Sequence, residues 1–343
     1  MASPTHILVI RLSAMGDVAM TVPVIRVVAA TYPHIKFTVV SKGQFEPLYK
    51  NIENVDFLVA DVYGKHKGFG IIKLANQAKA LGVDAVADLH NVIRSKLLTN
   101  YLKLKGTRSA TIDKGRAEKK ALTREVNKDF RQLKTTHQRY ADVFSELGLP
   151  VKLNSHSFPE RSRLSAKLNS LIGVEPKKLI GIAPFAAFDS KMYPLTKMKE
   201  VLAALDETDK FRIFLFGGGK KEIAILKDLE KPFNNVVSLA GRVPFEEELA
   251  LISNLDLMLS MDSGNGHLSA LYGIPTVTLW GVTHPFAGFA PFMQPESNML
   301  CADRTQFPLI PTSVYGNKFP EGYDKAIASI TPKSVVKKVL EIL

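Results

Sequence analysis

The chain is nearly without cysteine: Cys301 stands alone among 343 residues. That excludes an intrachain disulfide framework and a metal centre built from cysteines. Cys301 itself reads as a structural thiol. No apolar run reaches the roughly 18 or more residues that span a bilayer. Residues 1–6 lack the basic cluster of an export signal, and the apolar run 7–10 is too short for its core. A cytoplasmic protein is therefore expected. Also missing are GxGxxG in a dinucleotide-binding context and the GxxxxGK[ST] phosphate loop. Gly264 is not part of a G-x-S-x-G nucleophile elbow, so serine-hydrolase chemistry lacks support. No His/Cys/Asp spacing of the metal-binding kind occurs.

What is present fits an ordered α/β protein. Apolar residues make up 46% of the chain, enough for a substantial core. At this length two domains are the natural expectation. The net charge of +12 is unevenly placed. Residues 1–150 hold 23 Lys+Arg against 13 Asp+Glu, and residues 151–343 hold 22 against 20. Much of the excess lies in 101–139, with 12 basic and 4 acidic residues. Such a field suits a phosphate-bearing partner, whether nucleic acid, anionic lipid or acidic glycolipid. A solvated helical face is the plain alternative for any single lysine.

Periodicity gives two series of alternating strands and helices. Strands are predicted at 6–10, 36–40, 57–59, 85–89 and 109–112, with helices at 18–32, 71–81, 92–102 and 136–147. Residues 113–135 read as a loop or short surface helix. The second series has strands at 179–183, 211–216, 236–238, 255–259 and 275–279. Its helices lie near 197–205, 221–229, 245–253 and 266–272. Residues 286–324, rich in Pro, Gly and aromatics, read as an irregular flap. Thr331-Pro332 opens a last helix, with proline at its favoured first turn. The plan is two Rossmann-like halves with a cleft between them.

The densest signal is SMDSGNGHLSALYGIPTVTLWGVTHP, residues 260–285. A strand, a polar Gly-rich turn, a helix and a second strand make the local plan of an α/β ligand site. The amides at the turn suit an anion. Asp262 is an acceptor for sugar hydroxyls, Ser263 and Gly264 suit a phosphate, and His267 braces the loop. Three other positions carry two readings each. Asp17, after the first strand, either caps a helix or accepts a proton from an attacking hydroxyl. Lys191, in a loop after the first strand of the second half, is a surface cation or neutralises a diphosphate. The triplet Gly217-Gly218-Gly219 is a tight turn or a close backbone approach to a ligand, and Glu222 just after it caps a helix or meets ribose hydroxyls.

Together these pieces resemble glycosyltransferase family 9, which contains the lipopolysaccharide heptosyltransferases. The resemblance rests on ILVIRLSAMGDVAMTVPVI, GIAPFAAFDSKMYP, FLFGGGKKE and the block around DSGNGH, in that order along the chain. It implies a GT-B fold, with an acceptor-binding domain at 1–160 and a nucleotide-sugar domain at 175–325. A C-terminal helix, 331–343, would pack back on the first. It implies inverting transfer of heptose from an ADP-sugar to an inner-core acceptor such as Kdo–lipid A, with no metal or other cofactor. Asp17 would be the base and Lys191 would stabilise the leaving diphosphate. The donor would lie on Lys191, Gly218, Glu222, Asp262, Ser263, Gly264 and His267. The acceptor would lie on Ser13, Met20, Lys114, Arg116, Lys119 and Lys120. The implied partners are the nucleotide sugar, an acidic glycolipid and the anionic inner face of the inner membrane, not nucleic acid.

The chain departs from the family pattern at three places. Ala186-Ala187 stand where the family has a hydroxyl-bearing Thr pair, Tyr193 where it has tryptophan, and Met20 where histidine is frequent. Two alternatives stay open. One is the same fold with another nucleotide sugar and glycan acceptor. The other is a non-catalytic, basic nucleic-acid-binding protein, although 101–139 holds only Tyr101 and Phe130 as aromatics, few for a stacking platform.

Overall fold

The computed structural model describes residues 3–343. The chain divides into two compact units. One comprises Met1–Lys114 with Lys134–Ser157, the other Gly115–Leu133 with Phe158–Leu343. The strands of the first are β1 (His6–Ile10), β2 (Lys36–Ser41), β3 (Val55–Val59), β4 (Ala85–Asp88) and β5 (Arg108–Thr111). They form one parallel sheet in the order β3-β2-β1-β4-β5. Every residue of β1 is buried, which is why its sequence, HILVI, is an unbroken apolar run. A parallel strand covered on both faces has no polar side to alternate with. The helices, in chain order, are α1 (Met15–Ala19), α2 (Thr21–Thr31), α3 (Ile71–Ala80), α4 (Ile93–Leu104), α5 (Arg116–Thr123) and α6 (Thr136–Glu146). The single helix predicted over 18–32 is two helices joined at Met20. Pro23 has no N–H to offer the carbonyl of Ala19, so the ladder is interrupted there. Strand order reverses between β1 and β4, the switch point at which such sheets hold ligands.

The second unit continues with α7 (Ala166–Ile172), β6 (Lys178–Ala183), α8 (Leu195–Asp206), β7 (Phe211–Leu215), α9 (Gly219–Glu230), β8 (Val236–Ser238) and α10 (Phe245–Ile252). It ends with β9 (Leu257–Met261), α11 (Gly264–Ala270), β10 (Thr276–Trp280), β11 (Met299–Cys301) and α12 (Pro332–Ile342). Its parallel sheet has the order β11-β10-β9-β6-β7-β8, and the reversal lies between β6 and β9. Ile180, Ile182, Ile213, Leu257, Leu259 and Val277 fill the core with Leu202 and Leu226. Burying each such side chain contributes roughly 1.5–3 kcal/mol.

Two expectations are corrected in this unit. The stretch 286–324, expected as an irregular flap, contains a strand. β11 extends the sheet beside β10, and Val282, Ala302, Ile310 and Ala326 form a small buried cluster. Three residues in a proline-rich context were too short a run to read as a strand. The C-terminal helix packs within its own unit. Its Val335 and Val339 enter the second unit's own core beside Leu202 and Leu205. Finally, Gly115–Leu133 belongs to the second unit, although it interrupts the first in sequence. Leu122 and Leu133 are buried with Ala287, against Phe130, Phe286 and Phe289. Lys128 Nζ donates to the carbonyls of Leu309 and Pro311 at 2.8 and 2.7 Å. Burial and the neighbouring Arg304 push this amine down to about 8.

Candidate functional site

Both switch points carry polar side chains in otherwise apolar surroundings. In the first unit, β1 leads into Arg11 and α1 behind it carries Asp17. Arg11 Nη2 pairs with Asp17 Oδ2 at 2.5 Å. The guanidinium also donates to the carbonyls of Ser13 and Leu89, both at 2.8 Å. Leu89 follows β4, so this one side chain ties the ends of the two strands that flank the reversal. Burial works against the Arg11 cation, but Tyr140 and Asp17 more than offset it and its pKa is raised. The Arg11 side chain is 7% exposed and that of Asp17 31%. Asp17 is thus the member of the pair that a substrate can reach. Its capping contact, from Ala14 N, is long at 3.4 Å, so the ion pair dominates its setting.

His90, just after β4, is buried. Burial, with Arg11 and Lys114 nearby, pushes it down to about 3, so it is neutral. Its Nδ1 accepts from Leu12 N at 3.4 Å, which leaves the proton on Nε2. Arg11, His90 and Tyr140 were not singled out from the sequence. The one available signal was position: Arg11 and His90 each stand just beyond the end of a predicted strand.

In the second unit, β6 leads into the loop of Lys191 and β9 into Asp262. Lys191 Nζ meets Asp262 Oδ2 at 2.8 Å, with side-chain exposures of 12% and 9%. Thr283 Oγ1 donates to the same oxygen at 2.8 Å. Two residues assigned separately to diphosphate and sugar are therefore each other's partners. Close packing fixes the loop. A side chain at Gly281 would collide with the Ser190 carbonyl oxygen, and one at Gly316, where φ is +92°, would press on Lys191 itself. Ser190 Oγ donates to the Gly316 carbonyl at 2.5 Å. Tyr193 is buried and donates to the Ile330 carbonyl at 2.8 Å. Ser263 is the N-cap residue of α11, its hydroxyl 3.1 Å from that of Ser260. His267 is buried within α11.

Beside this pair lies a cavity of about 450 Å³ lined by Phe185, Ala186, Met192, Tyr193, Glu222 and Ile225, among others. Met192 follows Lys191 directly, so one loop serves both the ion pair and the cavity. Glu222 Oε2 accepts from Gly218 N at 2.8 Å. That is the capping role the sequence allowed, held by a carboxylate on the cavity wall. Among the described residues no group of His, Cys, Asp and Glu is arranged to hold a metal ion, and no helix is long and apolar enough to cross a membrane.

The acceptor residues inferred from the sequence divide between the two units. Ser13, Met20 and Lys114 belong to the first unit, and Arg116, Lys119 and Lys120 to the second. Met20 is 1% exposed. As the hinge between α1 and α2 it turns inward, so it is not available to a ligand. Lys119 is also buried, its ammonium 4.1 Å from the centre of the Phe289 ring. Phe130 is half-buried, edge-on to His284 and tilted against Phe286, with Arg304 over its face. It presents no platform for a nucleic-acid base. Burial raises the Cys301 thiol to about 12, consistent with a structural role.

The chain is 25% identical over 293 residues to lipopolysaccharide heptosyltransferase 1 of Campylobacter coli, covering 81% of this chain and 84% of that one. Its fold matches a glycosyl transferase family 9 structure from Veillonella parvula with a TM-score of 0.76 at 19% identity, covering 100% and 98% of the two chains. It also matches E. coli ADP-heptose lps heptosyltransferase II with a TM-score of 0.69 at 18% identity, covering 98% of each. The paired Rossmann-type sheets are those of the GT-B fold. Residues 71–309 match the family described as glycosyltransferase family 9 (heptosyltransferase), and the chain therefore belongs to that family of glycosyltransferases.

Proposed function

We propose that this enzyme transfers heptose, or a closely related sugar, from an ADP-sugar to an inner-core lipopolysaccharide or lipooligosaccharide acceptor such as Kdo–lipid A. The observation that carries the donor half is the Lys191–Asp262 pair beside the Glu222 cavity. A cavity walled largely by Pro184, Phe185, Ala186, Met192, Leu195 and Ile225, with the polar groups of Asp189, Lys221 and Glu222 among them, suits a nucleobase and the diol of its ribose. Lys191 lies one residue from Met192 of that cavity, where a diphosphate would follow. The relatives named as heptosyltransferases support the sugar.

In this reading the acceptor hydroxyl oxygen attacks the anomeric carbon as its proton passes to Asp17. The bond from that carbon to the diphosphate oxygen breaks, and ADP leaves with the electron pair. Attack opposite the leaving group inverts the centre. Lys191 and the amides near Ser263 and Gly264 offset the charge that grows on the diphosphate. That supplies the positive charge such a step requires from the protein itself. Asp262, released from Lys191 as the diphosphate arrives, becomes an acceptor for donor-sugar hydroxyls. Arg11 orients Asp17 and does not touch substrate.

Ala186-Ala187 favour a second reading, in which the fold is kept and the nucleotide sugar differs. Thermal unfolding against a panel of ADP-, UDP- and GDP-sugars separates the two. Ligands that bind only the native state stabilise it, by about 2.7 kcal/mol at a hundred times Kd. ADP and ADP-heptose should raise the transition, and UDP- and GDP-sugars should not. A shift with UDP- or GDP-sugars alone would reject the ADP assignment.

A further inference from the structure

The outer face of α4 has an arrangement that a water-soluble surface does not need. Ile93, Leu97 and Leu104 are 80%, 53% and 86% exposed. At spacings of four and seven residues they fall on one line down the helix, about 16 Å long at 1.5 Å per residue. Lys96 and Lys103 run along one side of that line, and Arg94 stands on the other. The opposite face, Ser95, Leu98, Thr99 and Leu102, is buried. Upstream, Tyr63 is exposed and lies under two cations, Lys42 Nζ at 4.9 Å and Arg94 Cζ at 5.4 Å. Phe69, in the loop before α3, is 91% exposed.

We propose that α4 and the loop before α3 form a docking surface for an anionic phospholipid bilayer, with Ile93, Leu97, Leu104 and Phe69 entering the interface. Charge complementarity selects this occupant. Neither α3 nor α4 carries an acidic residue, and residues 62–107 hold eight Lys+Arg against Asp84 and Asp88. Asp88 is buried, accepting from His90 N, Asn91 N and Ser95 Oγ. Asp84 is engaged by Thr5 and His6. An exposed aliphatic line flanked by lysines is how a helix lies in a bilayer surface, and basic residues near anionic lipid add to the attraction. The surface is also continuous with the site: Ile93 is three residues beyond His90, which bonds the Arg11–Asp17 loop at Leu12. A bilayer met at α4 would hold a lipid-anchored acceptor near Asp17. Only that consequence rests on the proposed glycolipid acceptor; the binding itself does not.

The test is vesicle flotation of the full chain, with no sugar present, on phosphatidylglycerol-containing vesicles and on pure phosphatidylcholine. Wild type should float with the anionic vesicles and weakly with the neutral ones. The Ile93→Ser/Leu97→Ser/Leu104→Ser variant should lose about tenfold or more in partitioning. Leu340→Ser, an exposed position on α12, should lose none. Lys96→Gln/Lys103→Gln and Phe69→Ser should each weaken binding, and they keep the test decisive if the triple variant folds poorly. Absence of wild-type flotation overturns the proposal, as does flotation unchanged in all these variants. So does a dimer, seen by light scattering, that the triple variant abolishes while vesicles go unbound. The thermal shift with ADP is read on the same samples. Its loss in wild type would reject the donor assignment and leave the docking result standing.

Discussion

At the scale of single residues, an ion pair stands at each switch point, and the two differ in kind. Arg11 is closed off and Asp17 partly open, so that pair holds a carboxylate that solvent can reach. Lys191 and Asp262 are both nearly buried, so that pair is a store of mutually compensated charge. Removing one partner of a buried pair costs about 3–5 kcal/mol, because the other is left buried and uncompensated. Asp262→Ala should therefore destabilise strongly in urea unfolding. The double variant with Lys191→Ala should lose clearly less than the sum of the singles, a coupling of roughly 1 kcal/mol or more. Additive losses would show that the pair is not a unit.

His90 makes a prediction in pH. Its imidazole falls from the ordinary 6.5 to about 3 through burial and the cations around it. Between those values the unfolded chain binds the proton that the folded chain refuses. Stability therefore rises with pH across that window and is lost on acidification. His284 and His156, each pushed down to about 4 mainly by burial, act in the same direction. His90→Gln should make the fall in melting temperature between pH 6.5 and 4 shallower by about one proton's worth. An unchanged slope would remove His90 from this role.

At the scale of elements, α5 and the chain after it are held by non-local contacts. Leu122 is fully buried, and Leu→Ala at such a site costs about 2–5 kcal/mol. Because the chain has two units, that loss should appear locally before it appears globally. Leu122→Ala should expose the basic stretch from Arg116 to Arg131 to trypsin while the sheet cores stay protected. Uniform protection would contradict this packing. The same segment shows where reading the sequence stops. Apolar runs located the strands of both sheets because parallel strands have no solvent side. Nothing local says that Phe130 will meet His284 and Phe286, so a stretch embedded in the first half was assigned to it. β11 escaped for a related reason: Met299–Cys301 is a strand only because β10 offers it an edge.

At the scale of the whole molecule, each unit is a parallel sheet with polar residues at its own switch point. The motifs around Asp17, Lys191, Glu222 and Asp262 were legible because each follows a strand end, where α/β proteins keep their ligands. Burial was less legible than position. Met20 and Lys119 are buried, since charge and motif position say nothing about which way a side chain turns. In the proposed reading the first unit supplies the base and the second holds the leaving group. Its most direct test is the transfer of heptose from ADP-heptose to Kdo–lipid A, followed by mass spectrometry of the product, for wild type and Asp17→Asn. The account predicts product from wild type and a rate about a hundredfold to ten-thousandfold lower in the variant, with the thermal shift by ADP unchanged. Full activity in Asp17→Asn, or no product from wild type with this donor and acceptor, would contradict it.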